Sequence, residues 1–135
     1  MRKIIAALMA TTLLGAVAAT AQPAAAQQAG CNQWSIGKGT IRQSNGFSIK
    51  LPSQARDNTL SGPVTAVGSN SRMFGDLQGR VTGNTVRFTI VWRNTAGVYT
   101  GVIDEDGFFD GTTVDRFNRT SRASFSMYGR AICRY

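Results

Sequence analysis

The chain predicts an all-β fold, an eight-stranded antiparallel up-and-down barrel, with an open β-sandwich as the alternative. Three observations carry this expectation. After the N-terminal stretch no segment shows a helix period with caps, and Gly or other turn residues recur about every 8–12 positions. At 86–92, Val86, Phe88, Ile90 and Trp92 alternate with Arg87, Thr89 and Val91, the period of two of a strand with one buried face. Finally, the two cysteines, Cys31 and Cys133, stand at opposite ends of the region that would fold.

The N-terminus reads as an export signal over 1–26. Arg2 and Lys3 provide the positive start, Ile4–Ala19 is apolar, and Ala24-Ala25-Ala26 offers an A-x-A cleavage site. The apolar run is shorter than the ~20 residues a spanning helix needs, so no transmembrane segment is expected. Ala29-Gly30-Cys31 resembles the end of a lipobox, but Gln28 departs from that motif and the apolar run ends well upstream, so a cleaved signal is expected rather than lipidation. Residues 27–135 are then a single domain by size, periplasmic or secreted. In an oxidising compartment the cysteine pair reads as a disulfide, joining the start of the first strand to the end of the last. Such a link closes a loop of roughly a hundred residues and contributes up to about 4–5 kcal/mol in the chain-entropy model.

Strands follow in order. Residues 40–44 form the first, Asn45-Gly46 turns the chain, and 47–51 form the second, with Phe47, Ile49 and Leu51 on one face until Pro52 stops it. After a polar loop, 60–67 makes the third strand, where Pro63 suggests edge character or a bulge. Residues 73–81 and 86–92 are the fourth and fifth, and 98–104 the sixth. Asp106-Gly107 marks a tight turn before a seventh strand at 108–114 and an eighth at 122–128. Closing such a meander removes the exposed edges that invite aggregation.

Composition narrows the chemistry. The chain contains no His, which excludes His-based triads and most zinc sites. A disulfide leaves no free thiol. Asp104, Glu105 and Asp106 are adjacent but lack the later ligands of a calcium loop, and they read as a solvated hairpin tip. Asp110 and Asp115 are an odd number of residues apart, hence on opposite faces of a strand and unsuited to paired acid–base work. No enzyme activity, cofactor or metal is expected. Without Arg2 and Lys3 the chain has 13 basic and 7 acidic residues, and 11 of the basic ones are Arg. The guanidinium fork suits carboxylate and phosphate, so an acidic partner fits, with solubility at an envelope surface as the alternative reading and no specific nucleic acid expected.

FTIVW and GVYTGVIDEDG, at 88–92 and 97–107, are similar to the F-T-V-x-W … V-F-T-G … I-D-x-x-G of the avidin–streptavidin group of calycin-type barrels. Residues 60–67, LSGPVTAV, resemble that group's third strand, and Cys31 with 37–40, GKGT, its opening C-x-x-x-G-K-W-T. The resemblance implies the barrel and places Trp92 and Tyr99 in a pocket wall, with Ser44 near a ureido-binding serine. Gly39 replaces the first-strand tryptophan and Val64 a ligand-binding tyrosine, Val114 stands near a second pocket tryptophan, and Gly97 lies where a ligand hydroxyl is expected. A site without those buried donors does not keep tight recognition of a polar ring, so the resemblance implies fold and pocket rather than biotin binding. The spacing Y-T-G-x5-G-x3-G-T-T-x-D at 99–115 also resembles small exported bacterial proteins of unassigned function.

Two candidate sites follow. Trp92 and Tyr99, with Ser44, are candidates for binding a small molecule, because an aromatic wall with few polar groups is what such a pocket needs. Arg116, Arg119 and Arg122 recur every three residues in the loop 115–122 and are candidates for binding an anion or a partner. Trp34, near the first strand, is placed to be covered by Arg130 or Arg134 as in calycin barrels, a structural cation–π contact. The function expected is a non-enzymatic exported binding module. The alternative is an interaction protein, such as an inhibitor of an envelope-directed hydrolase, or a polyanion binder. Its partner is a small-molecule ligand or an envelope or extracellular protein.

Overall fold

The computed structural model describes residues 31–134, so the expected signal at 1–26 lies outside the described residues. Ten strands follow one another: β1 (Gln33–Ser35), β2 (Gly39–Gln43), β3 (Ser48–Leu51), β4 (Thr59–Val67), β5 (Arg72–Thr82), β6 (Thr85–Trp92), β7 (Ala96–Ile103), β8 (Phe109–Asp115), β9 (Arg122–Tyr128) and β10 (Ile132–Arg134). From β2 to β9 each strand pairs antiparallel with the next, and β2 returns to β9 from Thr40↔Tyr128 to Gln43↔Phe125. The sheet is therefore a closed eight-stranded meander, compatible with a calycin-like fold, and not an open sandwich. β4 outruns β3, which it pairs only at Ser48↔Val67 and Ile49↔Ala66, and Pro63 occupies the resulting local edge.

Alternation decides what fills the interior. On β6, Val86, Phe88, Ile90 and Trp92 point inward and are buried, while Arg87 and Val91 point out. The outward positions carry Arg42, Lys50, Asp76, Arg80, Arg87 and Asp110, all exposed, charges that a lipid-facing wall would not tolerate. No helix among the described residues is long and apolar enough to cross a membrane.

Large inward rings are accommodated by small inward neighbours. Gly79 pairs with Phe88 and Gly75 with Trp92 across β5 and β6. A Cβ on Gly75 would lie 2.6 Å from Trp92 Cε3, and one on Gly79 would collide with Phe88 Cβ. The space holds an aromatic cluster in which Phe88 stacks on Tyr99 at 4.8 Å, Tyr99 tilts against Phe125 at 5.7 Å, and Phe125 meets Phe109 edge-on at 5.2 Å. Offset and edge-on ring pairs of this kind contribute about 0.5–1.5 kcal/mol each beyond the burial of their area.

The disulfide forms, but not between barrel strands. Cys31 and Cys133 are joined with a Cα separation of 5.5 Å, and the residues beside them form β1 and β10, a separate two-stranded ladder with Trp34 opposite Cys133. Gly129 sits between β9 and β10 at φ +97°, a left-handed conformation that breaks the barrel strand and redirects the chain. The resulting strap lies across one end of the barrel. Trp34 N–H donates to Gly83 O at 3.0 Å and Ala131 N–H to Gly107 O at 2.8 Å. The Gln33 side chain accepts from Gly83 N–H at 2.9 Å. Gln54, from the β3–β4 loop, accepts from Ile36 N–H and donates to Trp34 O. Trp34, Ile36 and Ala131 are buried and join the barrel core.

Two details differ from the sequence expectation. Arg130 stands over Phe108, 4.7 Å from the ring centre, and Arg134 donates to Asn58 Oδ1 at 2.7 Å. Neither covers Trp34, because the strap already buries that ring. The turn at 104–107 is an exposed hairpin tip in which Asp104 Oδ1 accepts the amides of Asp106 and Phe108.

Two outcomes test this packing. Gly79→Ala is expected to destabilise by about 1–3 kcal/mol, since the added carbon must displace Phe88 or the strand. Cys31→Ser/Cys133→Ser is expected to cost about 2–5 kcal/mol. Both are read from denaturant midpoints, and a variant at wild-type stability would contradict the corresponding contact.

Candidate functional site

Because the strands alternate in direction, the loops 44–47, 68–71, 93–95 and 116–121 all leave the barrel at the end opposite the strap. Here the packed core gives way to a cavity of about 130 Å³. Its apolar wall is formed by Phe47, Ile49, Ala66, Met73, Trp92 and Tyr99, and Gln43, Thr95, Thr113, Asp115 and Arg122 supply polar groups. The hollow exists because inward positions near this end are small or polar: Gly97, Thr113 and Ala123 stand where Ile103, Phe109 and Met127 fill the other half.

Tyr99 spans the boundary between core and cavity. Its ring stacks on Phe88, and its hydroxyl donates to Gln43 Oε1 at 2.6 Å. Burial pushes the phenol up to about 12, partly offset by its hydrogen bond with Thr113. At neutral pH the group is thus an uncharged donor and acceptor. Asp115 stands at the mouth: Thr95 Oγ1 donates to Oδ2 at 2.6 Å, and the Phe117 and Asn118 amides donate to Oδ1 at 2.8 and 3.0 Å. The Thr95 hydroxyl first, then those amides, hold its carboxyl below the usual carboxylate range. The carboxylate anchors the 116–121 loop to the β6–β7 loop and gives the rim a defined shape.

The cavity brings together Trp92 and Tyr99 with Arg122 at its lip. Ser44 is not part of it. Strand parity points Gln43 inward and Ser44 outward, where its Oγ accepts from Ser124 N–H at 3.0 Å. Arg116 and Arg119 lie on the outer wall beside a second hollow. Their guanidinium groups, like that of Arg122, have no carboxylate within ion-pair distance among the described residues; Arg122 Nε donates to Arg119 O at 3.1 Å. Val64 is buried in the core, whereas Val114 faces outward and is half-buried. Gln43, Thr95 and Thr113 complete the lining without any motif in the sequence that marks them. Parity counted from Ile41 was the available signal for Gln43, and parity from Phe109 for Thr113.

The cavity matches the volume of about four waters and is smaller than the roughly 300–1,000 Å³ of pockets that enclose whole drug-sized ligands. It suits one ring or one side chain. Comparison with protein-family models, with curated proteins and with solved structures finds no match.

The buried phenol yields a pH prediction. Its folded pKa is raised, so the stability it contributes is complete below about pH 10, the ordinary tyrosine value, and is lost as pH rises toward 12. In an ultraviolet titration one tyrosine should ionise late, and Tyr99→Phe should remove that late step. A late step unchanged in Tyr99→Phe would contradict the burial described.

Proposed function

We propose that this protein is an exported, non-enzymatic binding module that takes a small ligand, or the ring-sized end of a larger one, at the open end of its barrel. The observation that carries this reading is the asymmetry of the two ends. One is sealed by the β1–β10 strap, and the other opens through Trp92 and Tyr99 onto a rim of four loops. An aromatic wall with a few convergent polar groups offers stacking plus orientation. The Gln43 amide and the Tyr99 hydroxyl would orient the ligand, and Arg122 at the lip would favour a negatively charged outer portion.

The similarity to avidin–streptavidin barrels supports the location of such a site. Biotin is a poor candidate, because Val64 and Gly97 stand where the resemblance places a ligand-binding tyrosine and a ligand hydroxyl. Periplasmic or secreted localisation is supported by the 1–26 pattern together with the disulfide.

A second reading is a protein-interaction module, such as an inhibitor of an envelope-directed hydrolase. It is favoured by the rim itself, where Phe117 is 74% exposed between Arg116 and Arg119, an aromatic flanked by guanidinium groups that have no carboxylate partner among the described residues. Aromatic residues and Arg are enriched at interfaces.

Native mass spectrometry separates the two. Protein purified from the periplasm and incubated with a metabolite pool is expected to carry a discrete small adduct that Trp92→Ala abolishes. A bare mass in every condition would overturn the cavity reading. Capture of an envelope protein lost in Arg119→Ala/Arg122→Ala would favour the interaction module instead.

A further inference from the structure

The outer wall beside the mouth carries a pattern that the cavity does not use. Ladder pairing places Arg87 opposite Thr100, Thr100 opposite Thr112, and Thr112 opposite Ser124. Ser44 continues the row through two hydrogen bonds with Ser124, Ser44 N–H to Ser124 O and Ser124 N–H to Ser44 Oγ. Five exposed residues of β6 to β9 and the β2 edge thus form one line across the strands. At a strand spacing of about 4.8 Å, the four strands from Arg87 to Ser124 span roughly 14 Å.

Above this line, toward the mouth, stand Arg122, Arg116 and Arg119. Two hollows of about 360 and 550 Å³ lie along it and meet at Thr112, Val114 and Arg122. None of the four guanidinium groups has a carboxylate partner among the described residues, and the Thr100 and Thr112 hydroxyls have no protein partner there either. Asp115 borders the groove, but its oxygens are occupied by Thr95 and two backbone amides. Asp110, on the same face of β8, limits the groove on the side away from the mouth.

We propose that this strip is a binding groove for one linear, sulfated or carboxylated polysaccharide chain, with Arg87, Arg116, Arg119 and Arg122 gripping the anionic groups and the Thr100–Thr112–Ser124 row taking sugar hydroxyls. Planar guanidinium forks match sulfate and carboxylate, and a row of hydroxyls supplies both donors and acceptors at strand spacing. The lining argues against single-stranded nucleic acid, which needs successive aromatic platforms on which bases stack: the groove walls contain none, and Phe117 on the adjoining loop offers a single ring.

Binding of a heparin-derived hexasaccharide to the full mature protein, measured by isothermal titration calorimetry at low salt, tests this. Arg87→Gln and Arg122→Gln are each expected to weaken binding about three- to fivefold, the upper range for exposed charge pairs, and together at least about tenfold. Arg72→Gln, which removes the same charge on β5 across the barrel, should change it less than about twofold. Because Arg87 lies outside the cavity, its variant distinguishes this groove from the proposed ligand pocket. Equal loss in Arg72→Gln and Arg87→Gln, or duplex DNA bound as tightly as the hexasaccharide, would overturn the proposal in favour of unspecific attraction by net charge.

Discussion

Four residue pairs, Thr40 with Tyr128 through Gln43 with Phe125, join the first barrel strand to the last, and this closure constrains every other part of the molecule. An eight-stranded barrel encloses only enough space for side chains or one small guest. Each inward side chain must therefore fit the size of its neighbours, and every large ring needs a small residue beside it. The pairs Gly79–Phe88 and Gly75–Trp92 express that constraint directly. Where small and polar residues accumulate without a ring to fill the space, as at Gly97, Thr113 and Ala123, the interior opens into the cavity.

Closure also makes the two ends chemically different. A meander that begins and finishes at the same end leaves its termini free to fold over that end. Here β1 and β10 do so, tied by Cys31–Cys133 and hydrogen-bonded through Gln33, Gln54 and Ala131 to the loops they cover. The opposite end has loops alone, and they surround the mouth of the cavity, with Arg116, Arg119 and Arg122 at the rim. A rigid wall with variable loops at one rim is a common arrangement for binding, and the sealed end supplies the rigidity.

The eight barrel strands were legible in the sequence because their evidence is local: turn residues at short intervals and alternation as clean as that of 86–92. Strands β1 and β10 were not, since three residues show no periodicity and their pairing depends on a contact across the whole chain. The same limit explains the disulfide. Its existence followed from an even count in a chain whose N-terminus reads as an export signal, but its position on a strap outside the barrel required the kink at Gly129. At the site, Trp92 and Tyr99 could be named because aromatics on an inward face are conspicuous. Gln43 was hidden beside Ser44, and only strand parity distinguishes the residue facing the cavity from the one facing water. The outer groove was less visible still. Arg116, Arg119 and Arg122 are close in sequence, but Arg87 joins them only through the register of β6, β7 and β8.

The central claim is that one end is sealed and the other open, and the chain places one tryptophan at each: Trp34 beneath the strap, 7% exposed, and Trp92 on the cavity wall, 8% exposed. Their static exposure is the same, so the distinction rests on access through the mouth. Quenching by a small neutral molecule such as succinimide, in Trp34→Phe and Trp92→Phe variants with the disulfide intact and then reduced, reads that access directly. Trp92 should be quenched in both states, and Trp34 only after reduction. Equal protection of the two with the disulfide intact, or Trp34 as accessible as Trp92, would contradict the account.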